Sequence, residues 1–270
     1  MRMPEQASIS ASSNQAPPTV IAVIPHYRRP DQLERCLAAL AASTFPVKPW
    51  VYDNNKANIG FTKATNFGLK VAFANGAKYS LLLNQDCYVS PTAVANLVQF
   101  MDAHPRCGLA GLKQVASIDP DFIMHAGCAD AFPVGRHHTG RKSHGDHTIS
   151  RPMPWVNGAA VFARMSAVLE FGLLDENMVM IGSDSDWCYT ARMRGWEVWY
   201  CADAEAIHEG GVTAAQISPE MQKVFSSDMT WWKNKWVGTV VFNHLVKQIP
   251  YQPEPVAPQS TPAPAIGVAQ

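Results

Sequence analysis

From Thr19 to Leu112 the chain alternates short apolar runs with segments whose apolar residues recur at helical spacing, and that alternation admits few folds. Thr19-Val-Ile-Ala-Val-Ile24 is an unbroken, largely β-branched run, the pattern of a strand covered on both faces. Pro30-Asp31 opens a helix with Leu33, Leu37, Leu40 and Ala41 on one face, and Asp31 and Glu34 suit its positive end. Trp50 to Asp53 predicts a second strand. A helix follows with Ala64, Phe67, Val71 and Ala74 in register, stopped by Asn75-Gly76. Tyr79 to Leu83 is a third strand. Ser90 reads as an N-cap with Pro91 at the first helical position, leading to Val94, Leu97, Val98 and Met101. Gly108 to Leu112 is a fourth strand. Strands joined by helices imply parallel pairing with right-handed crossovers, so this half is a Rossmann-like α/β platform.

It is not a dehydrogenase platform. The first strand runs into Pro25-His26-Tyr27-Arg28-Arg29, and neither G-x-G-x-x-G nor a P-loop occurs. A bound nucleotide would have to be held by strand-end side chains and a metal rather than by a glycine nest. The formal net charge is zero, which gives no general basic field for nucleic acid. Six cysteines are scattered without a C-x-x-C pair, which argues for reduced thiols in a cytosolic protein. The N-terminus lacks a long apolar run, so neither a signal peptide nor a spanning helix is expected. Residues 1–18 and 250–270, rich in Ser, Pro, Ala and Gln, are expected to be disordered tails.

Two acids stand in contexts that suit chemistry. Asp86 ends the run Tyr79-Ser-Leu-Leu-Leu-Asn-Gln-Asp86, at the carboxyl edge of the third strand, where open α/β sheets bind ligands. Asp184 opens a segment of helical pattern that runs to Arg194 and stops at Gly195. One carboxylate for a metal and one to take a proton is what group transfer from a nucleotide-linked donor requires; the alternative is a pair of ordinary solvated acids. Trp155 to Phe162 returns to strand pattern, and Trp196 to Tyr200 is a last strand, with His208 beyond it. His125, His137, His138, His144 and His147 lie in a loop-rich stretch over 117–150, without metal-ligand spacing, and suit a mobile loop over a cleft. Phe225 to Ile249, with Trp231, Trp232 and Trp236, is a C-terminal helix. It packs on its own domain or a second subunit, or it lies at a membrane surface.

The ordered set of segments resembles family 2 glycosyltransferases of GT-A fold over roughly residues 19–212. Ile24-Pro-His-Tyr-Arg-Arg-Pro30, Tyr52-Asp53-Asn54-Asn55, Asn58-Ile-Gly-Phe61 and Asn66-Phe-Gly68 resemble that family's nucleotide half. Leu83-Asn84-Gln-Asp86 matches its D-x-D element in an N-x-D form. Trp155-Val-Asn-Gly158-Ala, Gly172-Leu-Leu-Asp175-Glu176, Asp184-Ser-Asp186-Trp-Cys188, Gly195-Trp and Ala206-Ile-His208 resemble the acceptor half. The branch is similar to rhamnosyl- and galactofuranosyltransferases. Departures are Ser183 for the usual Glu, Leu174 for Phe, Thr190 for Arg and Ala64 for Gly.

The resemblance implies one GT-A domain over 19–249: a mostly parallel central sheet flanked by helices, a smaller acceptor-side subregion and a C-terminal helix. Its parts are a nucleotide-binding half (19–115), an acceptor half (116–212) and a helical segment (213–249). It implies roles as well. Asp53 accepts from a pyrimidine N–H; Pro25, Tyr27, Asn58, Gly60, Asn66, Asn84 and Gln85 surround the nucleotide; Asp86 and His208 bind Mn²⁺ or Mg²⁺. Asp184 is the general base, Asp186 caps or orients, and Trp155, Asn157 and Gly158 shape the sugar pocket, with Trp155 as plain core the alternative. The expected activity is inverting, metal-dependent transfer from a UDP- or dTDP-sugar to a glycan or lipid-linked hydroxyl. It would take place in the cytoplasm, or peripherally at the inner face of the membrane, with oligomeric state left open. A nucleotidyltransferase and a non-catalytic sugar-nucleotide-binding scaffold are the rival readings.

Overall fold

The computed structural model describes residues 19–128, 132, 140–142, 147–210 and 217–246. His137, His138, His144 and both terminal tails lie outside the described residues. The elements run β1 (Val20–His26), α1 (Pro30–Ala41), β2 (Val47–Asp53), α2 (Gly60–Ala74), β3 (Tyr79–Leu83), β4 (Cys87–Val89), α3 (Ala93–Ala103), β5 (Cys107–Ala116) and β6 (Phe122–His125). Then come β7 (Gly140–Arg141), β8 (Arg151–Pro152), β9 (Ala160–Arg164), α4 (Met165–Phe171), α5 (Ser183–Met193), β10 (Glu197–His208), α6 (Pro219–Trp236) and α7 (Val240–Val246).

The main sheet has the order β2-β1-β3-β9-β5-β10-β4. β1 pairs parallel with β2 and β3, and β5 with β10, whereas β9 lies antiparallel between β3 and β5. Five strands, β2, β1, β3, β5 and β10, therefore point one way, and the expected α/β sheet is mostly parallel. β9 is the departure. Ala159, just before β9, accepts from Asn84 N just past β3, so β9 enters from the carboxyl edge of the sheet and runs backwards. This brings the turn before β9 to the place where β1, β3 and β10 end.

β1 is covered on both faces, and its side chains alternate between two cores. Val20, Ala22 and Ile24 join the core under α1 and α3, while Ile21 and Val23 join the core under α2, α4, α5 and α6. A Cβ on Gly68 would sit 2.2 Å from Val23 Cγ1, so the glycine is what lets α2 lie directly on β1.

Several boundaries and faces differ from the sequence reading. α2 buries Ala64, Thr65, Gly68, Leu69 and Ala72, and leaves Phe67 51% exposed, because its small and polar residues meet the sheet. Ala41 is exposed, and α1 buries Gln32, Cys36 and Leu40 instead. α3 begins at Ala93 after Thr92; Ser90 serves the preceding turn, its carbonyl accepting from Ala93 N at 3.0 Å. β9 starts at Ala160, not Trp155, and β10 continues through His208, its pairing with β5 irregular between Cys201 and Glu205. The C-terminal helix is two helices, broken where Gly238 adopts φ +89°.

All six cysteines are buried. Burial pushes the Cys36 thiol up to about 12 and Cys201 up to about 11, which leaves them as apolar core groups.

Candidate active site

The carboxyl ends of β1, β2, β3 and β10 meet the turns after β3 and before β9, and the functional side chains gather there. At the end of β1, Arg28 and Arg29 both hold left-handed backbone, φ +52° and +50°, a strain of order 1–3 kcal/mol per residue for side chains other than glycine. Arg28 N is held by Asn55 Oδ1 at 2.9 Å. Gln85 clasps this turn from β3: its Oε1 accepts from Tyr27 N at 2.9 Å and lies 2.7 Å from His26 Nδ1, while Nε2 donates to Tyr27 O at 3.1 Å. Gln85 thus fixes the bend that follows Pro25 rather than projecting freely. Asp53, at the end of β2 beside His26, accepts from Asn55 Nδ2 and N at 2.9 and 3.0 Å; those bonds hold its pKa below the ordinary value.

The turn after β3 brings Asp86 beside His208. Antiparallel β4–β10 pairing sets Cys87 against His208, and Glu209 N donates to Asp86 O at 3.0 Å. His208 Nε2 lies 3.6 Å from Asp86 Oδ1, and both side chains are buried. Among the described residues, neither ring nitrogen of His208 has a hydrogen-bond partner. A buried imidazole without partners is costly unless something else ligates it. One imidazole and one carboxylate at this separation fit a divalent cation whose other positions are taken by ligand oxygens and water. Among the described residues no third His, Cys, Asp or Glu completes a protein-only site. The His125 ring is 6.4 Å from the His208 ring.

Asp184 sits half-buried in the first turn of α5. Its Oδ2 accepts from Gly158 N and its Oδ1 from Ser185 N, each at 2.8 Å. Burial raises its pKa, and those N–H bonds only partly oppose the shift. The turn carrying Gly158 is itself joined to the turn carrying Asp86, because Asn84 N donates to Ala159 O at 2.8 Å. Asp184, Gly158, Asn84 and Asp86 therefore form one contiguous edge.

Other expected residues have different surroundings. Asn66 is buried, and its amide brackets the segment before α5: Nδ2 donates to Leu174 O and Glu176 Oε1, and Oδ1 accepts from Leu174 N. Asn58 Oδ1 accepts from Gly60 N at 3.0 Å, and Gly60, at φ +84°, is pressed against Val179. Asn66 and Gly60 fasten α2 to residues 174–179, whereas Asn58 caps the turn before α2 and is exposed to solvent. Trp155 is 3% exposed and edge-on to Phe132, so the structure places it in the core. Asp186 orients, as expected, by anchoring α6: Trp236 Nε1 and Lys235 Nζ each lie 2.7 Å from its Oδ1.

Asp228 was missed by the sequence reading. Buried on α6, it accepts from the backbone N–H groups of Val179, Met180 and Ile181 at 2.9, 2.7 and 3.0 Å. It holds the loop that delivers Gly182 and Asp184. Its signal was spacing, since Asp228 shares the stripe of Trp232 and Trp236, four residues apart, on the buried face of the helix.

A family model described as Glycosyltransferase like family 2 matches residues 54–234. The chain belongs to that family. Among solved structures, GalNAc-T7 with UDP, GalNAc and Mn²⁺ aligns at TM-score 0.59 and 14% identity, covering 82% of this chain and 48% of that one. S. aureus TarS 1–349 in complex with UDP-GlcNAc aligns at TM-score 0.55 and 13% identity, covering 85% and 71%. The same protein with UDP gives 0.52 and 14%, covering 85% and 70%. These likenesses establish the GT-A fold of this family 2 member; the chain spans about half the length of GalNAc-T7. No curated protein matches it by sequence. No helix among the described residues is long and apolar enough to cross a membrane.

Proposed function

We propose that this protein transfers a sugar, with inversion, from a pyrimidine nucleoside-diphosphate donor (UDP or dTDP) to a hydroxyl of a glycan or lipid-linked acceptor. The observation that carries the reading is the buried Asp86–His208 pair, with both imidazole nitrogens unpartnered, on one edge with the oriented carboxylate of Asp184. Asp86 and His208 would hold Mn²⁺ or Mg²⁺, which when bound offsets the negative charge that a diphosphate leaving group develops. The neighbouring complexes with UDP, and with UDP and Mn²⁺, are consistent with that donor chemistry. On the sequence resemblance, the branch is that of rhamnosyl- and galactofuranosyl-transferring enzymes of polysaccharide assembly, working in the cytoplasm.

Each residue has a separate task. Asp53 accepts from the pyrimidine N–H, and Gln85 fixes the β1 turn around the nucleoside. Asp184 takes the proton of the acceptor hydroxyl as that oxygen bonds to the anomeric carbon. The bond from that carbon to the diphosphate oxygen breaks on the opposite face, and its electron pair leaves with the nucleoside diphosphate. One displacement inverts the centre. Ionised Asp184 has two lone pairs on each oxygen, and one N–H bond per oxygen leaves capacity to accept that proton. A raised pKa makes it a stronger base than a solvated aspartate.

Asp184→Asn tests the assignment. It keeps the side-chain shape and should lower transfer by about 10²-fold or more, with UDP affinity within a few-fold of wild type. Full activity in that variant would refute the role of Asp184.

A further inference from the structure

Away from the Asp86–His208 edge, α6 carries a groove of about 530 Å³ on the face opposite its buried tryptophans. Asn177, Lys223, Ser226, Ser227, Thr230, Trp231 and Asn234 line it, with Lys223 its one charged side chain. Ser226, Thr230 and Asn234 recur every four residues, so one ridge of the helix carries the hydroxyls and the amide. Trp231 is 43% exposed, and its edge is fixed because Nε1 donates to Asp175 Oδ2 at 3.0 Å. Asp175 is itself held by Lys235 Nζ at 2.9 Å and by the N–H and amide of Asn177 at 3.1 and 2.8 Å. Burial alone would raise the Asp175 pKa, but hydrogen bonds from Trp231 and Lys235, then Asn177, hold it well below the carboxylate range.

With its N–H spent, the indole offers solvent its ring, beside the Asn234 amide and the Ser226 and Ser227 hydroxyls, which both donate and accept; the Thr230 hydroxyl donates to Ser226 O and one Asn177 amide N–H to Asp175. That combination suits a pyranose, whose C–H face lies on an aromatic while its hydroxyls bond to amides. A lipid chain would ask for aliphatic lining, and Trp231 is the only apolar lining residue. The volume is within the range of small-ligand sites, about 300–1,000 Å³.

We propose that this groove is a glycan subsite, holding saccharides of the acceptor that lie away from the reacting hydroxyl. The proposal rests on the glycosyltransfer reading, but it concerns a different surface. Asp184 is seven positions after Asn177, so the groove's Asn177 end is at most about 25 Å of chain from the base. The loop between them is clamped by Asp228 of the same helix, which ties groove and base to one frame.

The test is calorimetric titration of the full chain with tetrasaccharides of glucose, galactose, mannose, rhamnose and N-acetylglucosamine, with UDP plus Mn²⁺ titrated in parallel. At least one tetrasaccharide should bind, and Ser227→Trp, which fills the groove from an exposed position, should weaken it by at least about tenfold, as should Asn234→Ala combined with Trp231→Ala. UDP affinity should be unchanged in these variants, and glycan binding should survive Asp86→Ala. No tetrasaccharide binding with UDP binding intact would overturn the subsite alone, as would binding indifferent to both groove variants. Absence of UDP binding would strike the broader reading instead.

Discussion

Gly158→Ala probes how finely the base is held. The glycine does not need left-handed backbone, so alanine keeps the turn and its N–H. The added methyl would meet Asp184 Cβ at 3.0 Å and Oδ2 at 3.2 Å, tighter than ordinary van der Waals contact. Asp184 must therefore shift by a few tenths of an ångström, against the 2.8 Å bonds from Gly158 and Ser185 that now orient it. If a 1 Å misplacement costs about 10²-fold, a shift of this size costs about fourfold to tenfold in kcat, or ~0.8–1.4 kcal/mol of barrier. The assay is steady-state release of nucleoside diphosphate at saturating donor, with a thermal melt to show that the fold persists. Donor KM should stay near wild type, because the Asp86–His208 edge is untouched. A folded Gly158→Ala enzyme with unchanged kcat would refute the claim that the Gly158–Asp184 contact positions the base.

Two further expectations concern charge and anchoring. Asp184 acts as its anion and its pKa is raised, so kcat/KM should climb with pH through a limb lying above the ordinary aspartate value of about 3.9 and then level off. A pH–rate profile whose acid limb lies at or below that value would contradict the burial argument. Asp228→Ala leaves the three N–H groups of Val179, Met180 and Ile181 without acceptors and should cost at least about 3 kcal/mol, lowering Tm by roughly 6–12 °C. A melt within about a degree or two of wild type would show that water replaces the carboxylate freely.

The platform was legible because it rests on local pattern. Val20 to Ile24 is apolar without interruption and Tyr79 to Leu83 is broken only by Ser80, and both strands stand where that pattern put them. Helix faces were less legible: α2 presents Thr65, Gly68 and Ala72 to the sheet, and hydrophobicity cannot show that small residues face inward where backbones approach closely. The reversal of β9 was hidden for another reason. Strand direction depends on which sheet edge the preceding loop returns from, and nothing in Ala160 to Arg164 encodes it.

Within the site, Asp86 and His208 were readable as family-like motifs, and the β4–β10 register explains how residues so distant in sequence meet. Asn66 was assigned to the nucleotide pocket by the family resemblance. Its amide bonds to Leu174 and Glu176, a partnership that only the tertiary fold creates. Asp186 and Asp228 share a logic that sequence spacing alone shows weakly. Each is an acid on a helix face otherwise given to the core, and each anchors a neighbouring element through N–H donors.

The most direct test of the central claim is calorimetric titration with UDP and dTDP, with and without Mn²⁺, for wild type and Asp86→Ala. Binding of at least one diphosphate that requires Mn²⁺ and is lost in Asp86→Ala is the result expected of a donor site built on Asp86 and His208. Binding that ignores both the metal and the substitution, or no binding at all, would contradict it.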